Sequence, residues 1–418
     1  MQFSAPKGTN DILASHTPLW RYVEGKFHEI ASLFGFQEIR TPMFENAGLF
    51  SRGVGEGTDI VTKEMFTFSH SQKEMFALRP EGTAAVVRSY IENGMSSEPK
   101  PVKLYYIENM FRAENPQKGR SRQFTQFGIE TLGSASASTD AETISVCAFA
   151  LRQFGISNVE LNINSVGCPV CRKAYYEKLS VFLESRLDSM CPDCRSRAAK
   201  NPMRVLDCKQ EACQAATAGA PLMLDNLCND CASHFEELQH CLAASKIEFS
   251  VNPRIVRGLD YYTKTAFEFL TNDLGSQSAV CAGGRYDGLA ETIGGKPTPG
   301  VGFGFGIERL LLLMEAQGVL PNLGARQTGV FFASLDSQSA RDALGYAMEC
   351  RSKGIAALTD TLSRSLKAQM KYADKLNSRY VIFLEAEKTS QGIATVRDME
   401  TKEQFDIDLS GIASLFDK

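Results

Sequence analysis

No stretch of this sequence stays apolar for long. Its longest unbroken aliphatic run, Leu310 to Met314, falls far short of the roughly 18 residues that a membrane span needs. The opening MQFSAPKG lacks the basic-then-apolar form of a secretory signal, so a cytoplasmic protein is expected. Positive charge is not in surplus: 45 Lys and Arg against 49 Asp and Glu leave a net charge of −4. The bulk field therefore repels nucleic acid, and any such partner must meet local basic patches. Neither common glycine motif for nucleotides is present. There is no Gly-x-x-x-x-Gly-Lys-Ser/Thr run, and Gly304-Phe305-Gly306 lacks the spacing of a dinucleotide fingerprint, which excludes phosphate-loop and Rossmann enzymes. Internal repeats and low-complexity tracts are also missing. With 43% hydrophobic and 22% charged residues, the composition is that of a globular chain able to bury a sizeable core.

The 418 residues present suffice for two to four domains at about 100 to 200 residues each. Leu19, Val23, Phe27, Ile30 and Phe34 recur at three- and four-residue steps, which predicts a core helix from Pro18 to Phe34 with Thr17 as N-cap and Gly35 closing it. From Val102 the pattern turns aromatic and β-branched: VKLYYIENMFR, the polar AENPQKGRSR, then QFTQFGIET. This reads as two antiparallel strands joined by a long loop. Residues 168–241 are cysteine-rich, interrupted by Pro169, Pro192, Pro202 and Pro221, and read as an insertion with little apolar core. Strand patterns resume at RGLDYYTKTAFEFL and AVCAGGRYDGL and lead into GVGFGFGIERLLLLM. A linker is expected near Asn322 to Gln327. Beyond it, strand patterns alternate with helices from about Ser337 and from Ser363, as in a separate α/β domain. The second of these helices sets Arg364, Lys367, Lys371 and Lys375 on one side and Leu366, Met370 and Ala373 on the other.

Five segments carry chemistry. Gly300, Gly302, Gly304 and Gly306 alternate with Val301, Phe303, Phe305 and Ile307, so a strand here bares one face. Either a flat ligand lies on that face or a close-packed neighbour fills it. In the hairpin, Arg112 ends the first strand, Lys118, Arg120 and Arg122 crowd the loop, and Phe124, Gln126, Gly128 and Glu130 share a face of the returning strand. A permanently charged arginine suits a phosphate and an exposed aromatic suits an adenine ring; a solvated basic loop explains the charge equally. Finally, LRPEGT places Glu81 and Thr83 at a turn, RGLDYYT groups Arg257 with Tyr261 and Tyr262, and AGGRYDGL adds Arg285 and Tyr286.

These segments, in this order, resemble a class II aminoacyl-tRNA synthetase, and specifically the histidyl-tRNA synthetase family. FRAENPQKGRSRQFTQFGIE resembles the second motif of the class, GVGFGFGIERLLLLM the third, and RGLDYYT and AGGRYDGL the two signatures peculiar to the histidine enzymes. The likeness spans essentially the whole chain, from KGTNDI onward. It implies an α+β catalytic domain on an antiparallel sheet over 1–325, with 168–241 inserted, and a C-terminal anticodon-reading α/β domain over 328–418. It implies ATP with Mg²⁺, L-histidine and tRNA(His) as substrates and partners, and a homodimer built around GFQEIRTP, residues 35–42. By the same resemblance Arg112 and Arg257 hold the α-phosphate and the attacking carboxylate, Phe124 and Arg309 complete the ATP site, and Glu81, Thr83, Gln126, Glu130, Arg257, Tyr261, Tyr262 and Tyr286 hold histidine. Gln117, Lys118 and Arg120 reach the tRNA acceptor end. The alternative is a catalytically silent regulatory or RNA-binding paralogue. The regulatory relatives resemble only the catalytic part, whereas this chain keeps Arg257, Arg309 and a C-terminal domain.

Twelve cysteines in a chain without an export signal are poor disulfide candidates, because the cytosol keeps thiols reduced. Cys168 and Cys171, Cys191 and Cys194, and Cys228 and Cys231 are spaced C-x-x-C, with Cys208 and Cys213 a looser fourth pair. Such spacing lets two thiolates grip one metal, and eight ligands would complete two four-sulfur structural zinc sites. Which cysteines combine is open, and His234 is a candidate replacement for one. The competing reading is ordinary buried cysteine packing as a small hydrophobe.

Overall fold

The structure, a computed structural model, describes residues 3–55, 58–71, 74–274, 279–323 and 328–416. The chain divides into two compact units, Met1–Pro321 and Asn322–Lys418. Most of the expected linker, residues 324–327, lies outside the described residues.

The first unit is built on an eight-stranded sheet. From edge to edge its strands are Gln37–Glu38, Val102–Phe111, Gln123–Leu132, Gly300–Gly306, Ala279–Arg285, Thr263–Leu270, Glu160–Ser165 and Ser250–Val251. The six inner strands pair antiparallel, and only the two short edge strands join in parallel. Alternation then sorts side chains between two faces. Phe127, Ile129, Phe303 and Phe305 enter one large core with Val23, Phe27, Ile144, Leu238, Leu242, Leu310 and Leu313 from four helices. Gln126, Gly128 and Glu130, the intervening residues, belong to the other face, which carries the candidate site. That face is bordered by the helix Thr83–Glu92, whose Val86, Val87 and Tyr90 pack with Tyr106 and Tyr286.

The first helix runs Thr17–Leu33 and buries Val23, Phe27, Ile30 and Ala31. Thr17 is not its cap: His16 holds that position without a side-chain hydrogen bond, while the Thr17 hydroxyl donates back to Ala14 O. A second correction concerns RGLDYYTKTAFEFL. Its strand begins only at Thr263, and residues 257–262 form a loop that crosses the mouth of the site.

The insertion is helical, with Pro169–Glu184, Pro192–Lys200, Glu211–Ala216 and Asn229–Ala244 as its α-helices among the described residues. The expectation of little apolar core is wrong. Tyr175, Leu179, Leu183, Met190, Met203, Val205 and Met223 bury one another together with Cys171, Cys194, Cys213 and Cys231. Its last helix continues past residue 241, and Phe235, Leu238 and Leu242 on it belong to the main core instead.

The second unit is a five-stranded sheet ordered Ala357–Thr359, Thr328–Ser334, Ser378–Leu384, Ile393–Asp398 and Gln404–Asp408, parallel at its start and antiparallel at its end. The helix Ser337–Ser352 starts as expected, because the Asp336 carboxylate accepts from the Gln338 and Ser339 backbone N–H groups at 2.9 and 2.8 Å. The next helix spans Leu366–Lys375, later than Ser363, which sits at φ 51° and cannot continue a right-handed turn. Its buried positions are Gln369 and Ala373. Gln369 holds the inner face by bonding Ser334 N and O, and Leu366, expected there, is exposed.

Candidate active site

Most of the residues singled out from the sequence meet in one cavity of about 280 Å³, on the bare face of the sheet. Its walls include Glu81 and Thr83 from the turn before a helix, Arg112, Arg120, Phe124 and Gln126 from the hairpin, Arg257, Tyr261 and Tyr262 from the loop, and Arg309. Gln117 and Lys118 stand outside it at the hairpin tip, where Gln117 and Arg120 exchange backbone hydrogen bonds of 3.0 and 2.8 Å. The KGTNDI segment braces this hairpin, because Gly8 O accepts from Arg122 N at 2.7 Å.

One end of the cavity is cationic. The Arg112 guanidinium lies 5.3 Å over the Phe124 ring, with its Nε donating to Pro80 O at 2.9 Å, so its remaining donors face the cavity side. Arg309 opens the helix Ile307–Ala316 and reaches toward Gly119 O at 3.5 Å. Burial, with Arg120 adding like charge, holds its pKa down to about 10. Arg257 pairs with Glu268 and lies 5.2 Å over the Tyr262 ring, and its buried Nε has no hydrogen-bond partner among the described residues.

The other end is built from hydroxyls around a carboxyl. Glu130 is fully buried beneath the cavity and accepts from the Thr83 hydroxyl at 2.7 Å, from Tyr286 OH, and from Tyr106 OH at a long 3.4 Å. Burial pushes its pKa up to about 8, although the hydroxyls pull the other way. Tyr261 stacks against both neighbours, with ring centroids 4.7 Å from Tyr262 and 5.7 Å from Tyr286. Glu81 caps the helix Thr83–Glu92, accepting from Thr83 N and Ala84 N at 2.8 and 2.9 Å, and burial raises its pKa as well.

The close-packed reading of the glycine strand holds. A Cβ on Gly300 would sit 2.3 Å from the Tyr286 ring, on Gly302 2.1 Å from Glu130 Oε2, and on Gly304 2.2 Å from Gln126 Nε2. The missing side chains are thus the space in which three site residues lie, and Gly304 and Gly306 still border the cavity.

Two other residues singled out from the sequence, Arg285 beside the site motifs and His234 as a candidate metal ligand, sit behind the cavity. Arg285 is wholly buried and pairs with Asp140 and Asp287, tying the strand end to the start of the helix Ala137–Gln153. His234 bonds the same Asp140 at 2.8 Å, so it faces this network and not the cysteines. Conversely, three cavity carboxylates were not assigned from the sequence. Glu268 holds Arg257, Glu114 holds Arg120 at 3.1 Å, and Glu308 accepts from Thr125 N at 2.8 Å with its pKa pushed by burial to about 7. Glu268 had a legible signal: a lone acid within TAFEFL needs a buried partner.

Comparison with known proteins agrees with this geometry. Residues 8–310 match the family model described as histidyl-tRNA synthetase, and residues 330–418 the anticodon binding domain. The chain is 49% identical over 415 residues to the histidine–tRNA ligase of Acetivibrio thermocellus, covering 99% of each. It is 48% identical over 408 residues to that of Caldanaerobacter subterraneus, covering 97% of each. The crystal structure of apo histidyl-tRNA synthetase from S. aureus superimposes with a TM-score of 0.83 at 36% identity, covering 100% of both chains. The fold and its enzyme class are those of a class II aminoacyl-tRNA synthetase. Within that class, the chain belongs to the histidyl-tRNA synthetase family.

Proposed function

We propose that the cavity joins L-histidine to ATP as histidyl-adenylate, with release of pyrophosphate, and then passes the histidyl group to the 3′ end of tRNA(His). The observation that carries this reading is one cavity lined by Arg112, Arg257 and Arg309 together with Glu81, Thr83, Tyr261 and Tyr262, with the hydroxyl-bonded Glu130 buried beneath it. The attacking histidine carboxylate is ionised at pH 7, so the first step needs no general base. It needs positioning and cations to neutralise charge spread over phosphate oxygens. Arg112 and Arg257 take the α-phosphate and the carboxylate, Arg309 the outer phosphates, and Phe124 the adenine. Mg²⁺ adds charge neutralisation on the pyrophosphate side. Among the described residues the only convergent metal-ligand groups are cysteine sets elsewhere, which fits an ion held mostly by phosphate oxygens with Glu308 or Glu114 as the side chains at hand.

At the other end, burial keeps Glu130 protonated up to about 8 in the empty cavity, and histidine binding at pH 7 expels that proton: the ionised carboxylate then has about four lone-pair sites, three taken by hydroxyls and one left for an imidazole N–H. Tyr262 donates to the second ring nitrogen, while Glu81, Thr83 and Gln126 hold the α-amino and carboxylate groups, with Tyr261 and Tyr286 as walls. Gln117, Lys118 and Arg120 meet the tRNA acceptor end, and residues 328–418 read the anticodon. The protein works in the cytoplasm as a homodimer. Support for the dimer is the edge position of Gln37–Glu38 and the exposed Met43, Phe44, Phe68 and Met75, the last three on a separate three-stranded sheet of Phe44–Asn46, Glu74–Leu78 and Thr67–Ser71. Histidine-dependent exchange of labelled pyrophosphate into ATP tests the reading; a protein inactive in that assay would be the silent paralogue instead.

A further inference from the structure

The eight cysteines of the insertion are not scattered through its core. They gather in two sets, Cys168, Cys171, Cys228 and Cys231, and Cys191, Cys194, Cys208 and Cys213, and within each set all four sulfurs lie within 4.8 Å of one another. In the first set Cys168 Sγ is 3.4 Å from Cys171 Sγ and 3.8 Å from Cys228 Sγ. Four sulfurs around zinc, at Zn–S of about 2.3 Å, stand roughly 3.8 Å apart at tetrahedral corners. Each set also places a backbone N–H on a sulfur, Cys228 N to Cys171 Sγ and Cys191 N to Cys213 Sγ, both at 3.3 Å, and such donors favour a thiolate over a thiol. In both sets two cysteines are buried and two half-buried, and four thiolates fill a tetrahedral shell with no open position for a substrate. Cys350, buried in the second unit among Ala343, Ala347 and Ile382, gives the contrast: a cysteine that packs as a small hydrophobe has no converging partners.

We propose that the insertion holds two structural zinc ions, one in each closed four-cysteine set. The outer pairs along the chain combine with each other around the inner ones, so the two sites cross-link the insertion at both ends. Each is also linked to the loop 257–262. Beside the first set, Arg172 donates from Nε to Val166 O at 2.9 Å and from Nη2 to Tyr262 O, and Lys264 N donates to Gly167 O at 2.9 Å. Beside the second, Arg197 and Arg204 bond Asp59 at 2.8 and 3.0 Å, and Asn201 bonds Asp260 at 2.8 Å. The ions therefore position, through these contacts, the loop that carries Arg257 and Tyr262; this last step rests on the function proposed above, whereas the metal content does not.

The test is metal analysis of the full chain purified reduced and without chelator. Two zinc ions per chain are expected, one each in Cys208→Ser and in Cys228→Ser, and two in the control Cys241→Ser. If either variant fails to fold, titrating the wild-type thiols with a mercurial must release two equivalents of zinc. Protein with no zinc, with iron in its place, or with these cysteines as free thiols or disulfides in freshly reduced preparations overturns the proposal. Loss of one zinc should also raise the KM for histidine severalfold more than that for ATP. Unchanged kinetics in a zinc-depleted chain would refute the positioning role alone, and two zinc ions in a chain inactive in pyrophosphate exchange would overturn only the catalytic reading.

Discussion

The two ends of the cavity are built on opposite plans. At the arginine end, Arg112 donates to Pro80 O, Arg309 reaches toward Gly119 O, and Arg257 pairs with Glu268 while its buried Nε has no hydrogen-bond partner among the described residues, so three fixed cations line the cavity. At the other end the Glu130 carboxyl is already held by the hydroxyls of Thr83, Tyr106 and Tyr286. The first plan suits a charge that develops during reaction, because cations fixed beforehand need not reorganise. The second suits discrimination, because a buried network that accepts one imidazole leaves polar groups unpaired with any other side chain.

That contrast can be broken most decisively at Arg257. Replacing it by alanine should cut adenylate formation by about 10³-fold or more, on the scale of losing a transition-state donor, while ATP still binds. A loss of only a fewfold in pyrophosphate exchange would mean that the arginine end is not catalytic. Next in size, Glu130→Gln and Tyr262→Phe should each raise the KM for histidine by roughly 10- to 100-fold, the range of one hydrogen bond involving a charged group, and move that for ATP little. Equal changes for both substrates would erase the distinction between the ends.

A third expectation sharpens the comparison through pH. Glu130 keeps its proton in the folded chain up to about 8, against an ordinary value of 4.5 when unfolded. Between those values the folded state binds more protons, so its stability falls as pH rises. Glu130→Gln removes that dependence, and its melting temperature relative to wild type should climb between about pH 5 and pH 8; a constant difference would place the proton elsewhere. The smallest effect is expected for Arg120→Ala, which should slow transfer to tRNA severalfold and spare pyrophosphate exchange, since Arg120 is tied to Glu114 at the loop. Loss of exchange would assign Arg120 to ATP.

The hairpin was legible because its signals are local: ten-residue alternation on both sides of a polar loop yields the observed pairing of Val102 with Leu132 through Phe111 with Gln123. The loop 257–262 was not, because the apolar TAFEFL that follows invites extending the strand backward, while contacts distant in sequence, from the insertion and from Val54 O, hold the loop. Leu366, expected on the inner face, gave way to Gln369, because the end of the strand Thr328–Ser334 offers Ser334 N and O as partners to a buried amide. The cysteine spacings disclosed pairs and not their combination, since the nesting of one set inside the other depends on how four helices meet. The depth of Glu130 was equally hidden, because alternation gives its face and not what covers it.

The glycine strand sets how readily this protein could change its preferred amino acid. At Gly300, Gly302 and Gly304 even a methyl group would land within 2.3 Å of Tyr286, Glu130 or Gln126. Mutational drift at these positions therefore has no small steps, as the first carbon added displaces a group that defines the pocket. A new specificity would have to arise from the loops, where residues can change singly without evicting their neighbours. The backbone strand acts as a conservative ledger of what the pocket accepts, and laboratory evolution aimed at other amino acids should accumulate its changes around 257–262 and leave 300–304 untouched.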